Sequence, residues 1–244
     1  MESAGETLMN RSQTPIRRTW ALLIAGPLLF LAAIVVASLY FGIVTRGDAQ
    51  AIAEQTPKAM PAMLVAVQLL LLVFLVRTLR SERLAWSAIG WRLAQGQVLW
   101  REVLIGVIPG VVLAVLYFTV LSRSLTWLQR NVGDYVPAGE LTSALGSAMI
   151  PFFLANVVLA PFVEESLYRG YAFGHLQERY GLPLAVIVSC AFFGLLHWAG
   201  GIWYILLTGI VAGGLFAGLR VWRGALIAPF AAHLALNVLE FVWL

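Results

Sequence analysis

Two adjacent carboxylates, Glu164 and Glu165, are the residues of this chain best suited to chemistry, because they follow a long apolar run from Ala148 to Val163. Ionisable side chains in an apolar helix are costly in a bilayer, so they are kept where they have a partner or a function. In a helix, Glu165 and Arg169 are spaced i and i+4 and can pair on one face. Glu164 points about 100° away around the helix, which leaves its carboxylate free to accept a proton.

Three polar residues in other apolar segments are candidate partners for Glu164. Glu164 lies 16 residues before the turn at residues 180–181, and His197 lies 16 residues after it. In a helical hairpin the two would sit at about the same height, roughly 20 Å from the turn. His233 is expected roughly 14 Å from the same surface, and Asn237 one turn deeper. We therefore expect these four side chains to meet inside the membrane.

Three short motifs, all in apolar segments, occur in a fixed order. They are Glu-Glu-x-x-x-Arg at residues 164–169, Phe-x-x-x-His at residues 193–197 and His-x-x-x-Asn at residues 233–237. The set resembles the CPBP family of CAAX-protease and bacteriocin-processing intramembrane proteases, to which the eukaryotic Ras-converting endopeptidase belongs. The resemblance covers about residues 141–244, and the first half of the chain carries no motif that matches.

The resemblance implies peptide-bond hydrolysis inside the membrane. It implies a site of six side chains: Glu164, Glu165, Arg169, His197, His233 and Asn237. The residue types fit this chemistry, because a carboxylate in an apolar bundle can act as general base toward water. His197 would hold that water or share its proton, and His233 and Asn237 would donate to the oxyanion of the tetrahedral intermediate. The Glu–Arg pair would orient the helix and compensate charge.

The sequence leaves the role of a metal open. Glu164, His197 and His233 could hold a zinc ion with one open position, as in a metalloprotease. However, the chain has no His-Glu-x-x-His motif, and asparagine is a poor zinc ligand. These residue types favour a glutamate-activated water without a cofactor, with a divalent metal such as zinc as the alternative.

Two other classes of protein can use the same residues. A proton- or ion-coupled transporter also needs intramembrane Glu, His and Arg, but the polar residues cluster in the last four predicted spans and no paired half-repeats are visible. A non-catalytic membrane scaffold or bacteriocin-immunity protein would have less need of the complete motif set. Expected substrates are prenylated CAAX proteins in a eukaryote, and a peptide, pheromone or membrane protein in a bacterium.

The composition predicts the elements that position these residues. Of 244 residues 61% are hydrophobic and 11% are charged, with a mean hydropathy of +0.86, against about 25% charged residues in soluble domains. The chain is therefore predicted to be an all-α, multi-span transmembrane bundle, with a tail at residues 1–19 and a single domain at residues 20–244. The net charge is +4, and the basic residues cluster near the ends of the apolar segments. This distribution indicates a lipid bilayer as partner and does not indicate binding to nucleic acid.

About seven spans are expected. Six of them are placed at residues 20–44, 60–76, 103–121, 184–199, 202–219 and 225–242. The fourth span in chain order begins somewhere within residues 141–151 and continues into the acidic motif. Loops are expected at residues 45–58 and 122–140. The stretch 77–101, with five arginines and three tryptophans, is either an interfacial segment or an ordinary basic loop, and an eighth span at residues 84–100 is disfavoured.

The loop charges predict the orientation. Basic loops belong inside, which puts the N-terminus in the cytoplasm and the C-terminus outside. The membrane is expected to be the plasma (inner) membrane, or that of the endoplasmic reticulum in a eukaryote. Four glycines in span six, at positions 209, 213, 214 and 218, are expected to allow close helix contact.

Overall fold

The computed structural model describes residues 16–133 and 149–243, and every regular element in these ranges is helical. Its seven principal helices are α1 (Ile16–Val44), α2 (Ala49–Ser81), α3 (Leu99–Asn131), α4 (Met149–Tyr180), α5 (Leu182–Leu196), α6 (Ile202–Arg223) and α7 (Ile227–Trp243). Helices are the expected solution, because a bilayer offers no partner for an unpaired backbone amide or carbonyl.

Five of these helices have the length and apolar character to cross a membrane, namely α1, the Lys58–Ser81 part of α2, α3, α4 and α6. The apolar helices α5 and α7 are shorter. The predicted multi-span helical bundle is confirmed. That the chain crosses the membrane seven times stays a prediction.

Several helices extend beyond the predicted spans. Helix α2 begins at Ala49, inside the predicted loop 45–58, and Asp48 caps it by accepting hydrogen bonds from the amides of residues 50 and 51. Helix α3 continues to Asn131, inside the predicted loop 122–140. Hydropathy marks only the apolar part of a helix, whereas backbone hydrogen bonding continues where polar side chains are solvated. The tail up to residue 15 and the predicted start of span four, as far as residue 148, lie outside the described residues.

Helix α4 occupies the centre of the bundle, where it contacts α1, α2, α5, α6 and α7. Every residue from Val163 to Phe173 is buried. Within the described ranges, four stretches have wider, π-type turns, and one of them, Glu165–Ala172, includes most of the first motif. The acidic motif therefore lies inside protein on all sides and not against lipid.

Helices α3 and α7 pack closely through small residues. A side chain at Gly106 or Gly110 would overlap the backbone carbonyl of Ala228 or Ala232, so glycine is required for this approach. Because Ala232 precedes His233, the α3–α7 contact sets the position of the third motif.

The prediction for the glycines of span six holds for two positions out of four. Gly209 lies against Gly194 of α5, and Gly213 lies against Arg169 and Phe193. A Cβ atom at Gly214 or Gly218 would have no atom within 4 Å, so these two positions make no close helix contact.

The connections of the bundle gather at two ends. At one end the amide of Leu226 donates to the carbonyl of Gly90 (2.9 Å), and Gln97 Nε2 donates to the carbonyl of Arg223 (2.8 Å). At the other end Gln129 Nε2 donates to the carbonyl of Gly200 (3.1 Å). The segments predicted to be basic and cytoplasmic thus share one end.

The segment between α2 and α3 forms a series of turns that fold back onto the bundle. Trp91 Nε1 donates to Ser166 Oγ at 2.8 Å, and the Trp91 ring packs on Phe162 and Phe230 at 5.1 and 5.2 Å. Trp100, in contrast, is exposed. Residues 84–98 are therefore non-helical, pack on the bundle and contain no eighth spanning helix, while the interfacial location of the segment stays a prediction.

Candidate functional site

The predicted pairing of Glu165 with Arg169 is present and fully buried. Arg169 Nη1 donates to Glu165 Oε1 at 3.1 Å, and Nη2 donates to the carbonyl of Gly213 at 3.1 Å. The guanidinium lies over the Phe193 ring, with 4.1 Å between Cζ and the ring centroid. A buried ion pair needs such extra contacts, because its mutual attraction alone does not offset the cost of desolvation. Phe193, the first residue of the second motif, therefore supports Arg169 directly.

His233 bridges the two glutamates. Its Nδ1 lies 3.0 Å from Glu165 Oε1, and its Nε2 lies 3.9 Å from Glu164 Oε2. The imidazole stacks on Phe216 at 4.7 Å between centroids and meets the edge of Phe193 at 5.5 Å. These two ring contacts help to hold the imidazole with one nitrogen toward each carboxylate.

Glu164 has a partner from the first half of the chain that the sequence did not predict. Gln68 Nε2 of α2 donates to Glu164 Oε1 at 2.7 Å, and both side chains are buried. Gln68 Oε1 has no hydrogen-bond partner among the described residues. A signal was available, because Gln68 is the single polar residue in the apolar run from residue 60 to 76. The pairing joins residues 96 positions apart, which no local pattern predicts.

His197 directly follows α5, and a backbone contact fixes which of its ring nitrogens carries the hydrogen. Its Nδ1 lies 2.9 Å from the carbonyl of Phe193. A carbonyl can only accept, so Nδ1 carries the hydrogen and the Nε2 of the neutral ring is an acceptor. His197 can therefore hold a water or receive a proton at Nε2.

Glu164 and His197 are offset in height by about one helical turn. Ser189 Oγ of α5 donates to the carbonyl of Tyr168 at 3.1 Å, so these two residues are level. Tyr168 is 12 residues from the turn and Ser189 is 8. The π-type turns of α4 take more residues for the same length than α turns do, which the prediction of equal height did not include. The residue of α5 that lies at the height of Glu164 is therefore close to Phe193, one turn before His197.

A cavity of about 50 Å³ lies beside the polar cluster, between α3, α5, α6 and α7. This volume has room for roughly three or four water molecules. Its polar lining consists of Tyr117, His197, Tyr204, Thr208, His233, Asn237 and Glu240. Asn237 Nδ2 donates one hydrogen bond to the carbonyl of Asn156 at 2.7 Å, which leaves its second hydrogen available.

The six predicted residues thus form two groups that share His233. The first group is the polar cluster of Glu164, Glu165, Arg169 and His233. In the second group His197, His233 and Asn237 line the cavity. Sequence reasoning missed Gln68 in the first group and Glu240 in the second.

The side chains do not fit a metal ion in this arrangement. Among the described residues, no three His, Cys, Asp or Glu side chains lie close enough together to hold one. Glu164 Oε2 and His233 Nε2 lie 3.9 Å apart, but no third side chain of these types joins them among the described residues.

Comparison with known proteins agrees with the motifs. Residues 146–239 match the family described as type II CAAX prenyl endopeptidase Rce1-like. No curated protein and no solved structure is similar enough to the chain to give a match. The matched segment contains all three motifs, from Glu164 to Asn237. The match over these residues supports the resemblance of the chain, a multi-pass membrane protein, to the CPBP family of CAAX-type intramembrane proteases.

Proposed function

We propose that this protein is an intramembrane endopeptidase that cleaves a membrane-associated or lipidated substrate with a water activated by Glu164. The observation that carries the proposal is the position of His233, which lies 3.9 Å from the buried Glu164 and also lines a cavity large enough for water. A carboxylate, an imidazole and a water inside an apolar bundle are the parts needed for general-base hydrolysis.

In the first step, water attacks the carbonyl carbon of the scissile peptide bond while Glu164 takes one of its protons. Two atoms that are 3.9 Å apart, as Glu164 Oε2 and His233 Nε2 are, can both contact one water. Gln68 holds the other oxygen of Glu164, so the proton-accepting oxygen is the one that faces His233. His197 accepts a hydrogen bond at Nε2 and helps to hold water in the cavity.

In the second step, the tetrahedral intermediate collapses and the peptide C–N bond breaks. The free hydrogen of Asn237 Nδ2 stabilises the oxyanion. The proton on Glu164 passes to the leaving nitrogen, so the products are a carboxylic acid and an amine. When His233 carries a proton on both nitrogens, it donates from Nε2 to the oxyanion, and the Glu165 carboxylate at Nδ1 stabilises that charge. Arg169 in turn fixes Glu165.

The location of the site restricts the substrate. The proposed catalytic groups lie inside a bundle whose outer surface is largely apolar, with exposed residues such as Leu28, Ile108 and Ile187. A substrate that is itself held in the bilayer reaches such a site more readily than a soluble peptide. We place the protein in the plasma membrane of a bacterium or the endoplasmic reticulum membrane of a eukaryote, with residues 20–244 as a single domain.

A cleavage assay tests this proposal. Purified protein in lipid nanodiscs is incubated with a panel of membrane-anchored and prenylated peptides, with and without a chelator, and new termini are identified by mass spectrometry. We expect cleavage of at least one anchored peptide, at the same rate in the presence of the chelator. Loss of cleavage on chelation, restored by zinc, would contradict the metal-free mechanism. A purified protein that cuts no peptide would favour a transporter or scaffold.

A further inference from the structure

One carboxylate, that of Glu240, lines the cavity and has no part in the proposed mechanism. His233, Asn237 and Glu240 are spaced i, i+4 and i+7, so they lie on one face of α7, and all three line the cavity. Glu240 follows the segment that matches the family, which ends at residue 239. The motifs therefore give Glu240 no role.

The side chains that line the cavity give Glu240 no arginine or lysine, and the group whose charge acts on it is His233. The neighbours of Glu240 in the cavity include the phenols of Tyr117 and Tyr204 and apolar side chains such as Leu121. Thr208 does not serve as a donor to it, because its hydroxyl lies 2.8 Å from the carbonyl of Tyr204. No ion pair of Glu240 occurs within residues 16–133 and 149–243. A carboxylate in an apolar helical bundle without an ion-pair partner is costly, which marks it as part of a ligand pathway.

We propose that Glu240, with Tyr117 and Tyr204, forms a subsite that binds a cationic group of the substrate next to the bond that is cut. The inference rests on the proposed protease function. The subsite takes an ammonium or guanidinium group, since a carboxylate supplies the opposite charge and the two phenols supply oxygen acceptors and aromatic faces.

The geometry limits where the cation sits on the substrate. Glu240 is three residues beyond Asn237, which is about 4.5 Å along the helix axis. Consecutive Cα atoms of a peptide are about 3.8 Å apart. With the oxyanion at Asn237, the cation therefore belongs to a residue within about two positions of the cut bond. Either a basic side chain or a free N-terminal ammonium satisfies this.

Matched peptides test the subsite in the intact protein. The peptides are made in pairs from one sequence that is cleaved. In each pair, one position near the cut bond is lysine in one peptide and glutamine in the other. A separate pair has either a free or an acetylated N-terminus. Wild type should favour the cationic member of a pair by about 10- to 100-fold in kcat/KM. In Glu240→Gln that ratio should fall to near one, and Glu240→Lys should favour a glutamate peptide. Glu54→Gln, an exposed position on α2, is the control and should keep the wild-type ratio.

The lysine–glutamine pairs and the free–acetylated pair distinguish a side-chain cation from an N-terminal one. A preference at one lysine position identifies a side-chain subsite, whereas a preference lost on acetylation identifies the N-terminal ammonium. Equal rates for all pairs in wild type, or an unchanged ratio in Glu240→Gln, would overturn the subsite. If wild type cuts nothing, the protease proposal has failed, and binding of the same fluorescent peptides to wild type and Glu240→Gln still tests the subsite. Equal binding of lysine and glutamine peptides would then overturn it.

Discussion

At the scale of single residues, the candidate site is built so that nearly every buried polar group is held by a group from another helix. Glu165 is shared by Arg169 of its own helix and His233 of α7. Glu164 is held by Gln68 of α2. The Glu165–Arg169 pair was predictable, because i and i+4 spacing is a local property. The contact of Gln68 was not, because only the folded bundle brings α2 against α4.

Gln68→Met should slow catalysis by about tenfold or more, because a carboxylate that is free to rotate loses its reacting geometry. Turnover of a cleaved peptide measures the effect, and Gln50→Met at an exposed position of the same helix is the control. If Gln68 acts through Glu164, adding Gln68→Met to Glu164→Gln should lower the residual rate no further. A loss of the same factor in both backgrounds would show that Gln68 only stabilises the fold.

Arg169→Ala should lower both folded yield and activity. Removing one partner of a buried ion pair typically costs about 3 to 5 kcal/mol, since it leaves Glu165 charged or unpaired in a low dielectric. Thermal unfolding in detergent provides the measurement. Arg179→Ala, an exposed position on the same helix, is the matched control and should melt like wild type. A normal melting temperature together with full activity in Arg169→Ala would remove the ion pair from the account.

At the scale of elements, the sequence predicts the existence of the helices better than it predicts their first and last residues or their relative heights. Apolar runs located all seven principal helices, but α2, α3 and α6 extend into polar sequence that hydropathy reads as loop. The π-type turns of α4 displace Glu164 relative to His197, and no pattern in the sequence reveals them. The predicted close contacts of span six hold at Gly209 and Gly213, while the closest approach lies elsewhere, between α3 and α7.

Gly110→Ala should reduce activity and thermal stability together. The added methyl group overlaps the carbonyl of Ala232, so α7 must move and carry His233 and Asn237 with it. Gly214→Ala is the matched control, because a Cβ atom there has open space. It should melt at or above the wild-type temperature, since alanine is the better helix former. If Gly110→Ala matches the control in both melting temperature and turnover, α3 does not set the position of α7.

At the scale of the whole molecule, the bundle gathers its basic connections at one end. Arg18 Nη1 donates to Ser81 Oγ at 2.8 Å, so the start of α1 lies at this end as well. At the same end, an ion pair between Arg223 and the buried Glu102 joins the end of α6 to the first turn of α3. This clustering supports the predicted orientation, in which the basic end faces the cytoplasm.

Reporter fusions test this orientation. Fusions after Arg101 and after Arg223 should both report the cytoplasm, and a fusion at Leu244 should report the outside, because the basic connections resist translocation. The measurement is the activity of a compartment-specific reporter pair at each position. A cytoplasmic C-terminus would contradict the seven-span topology.

The proposed hydrolysis depends most directly on Glu164 as the general base. Glutamine preserves the shape of the side chain and can still contact Gln68, but it cannot take a proton from water. The decisive measurement is turnover of one cleaved peptide by wild type, Glu164→Gln and Glu165→Gln at matched concentrations of folded protein. We expect Glu164→Gln to fold normally and to lose a factor of about 10² to 10⁴ in rate. Glu165→Gln should show the larger stability defect relative to its loss of rate. Cleavage by Glu164→Gln at the wild-type rate would contradict the general-base assignment.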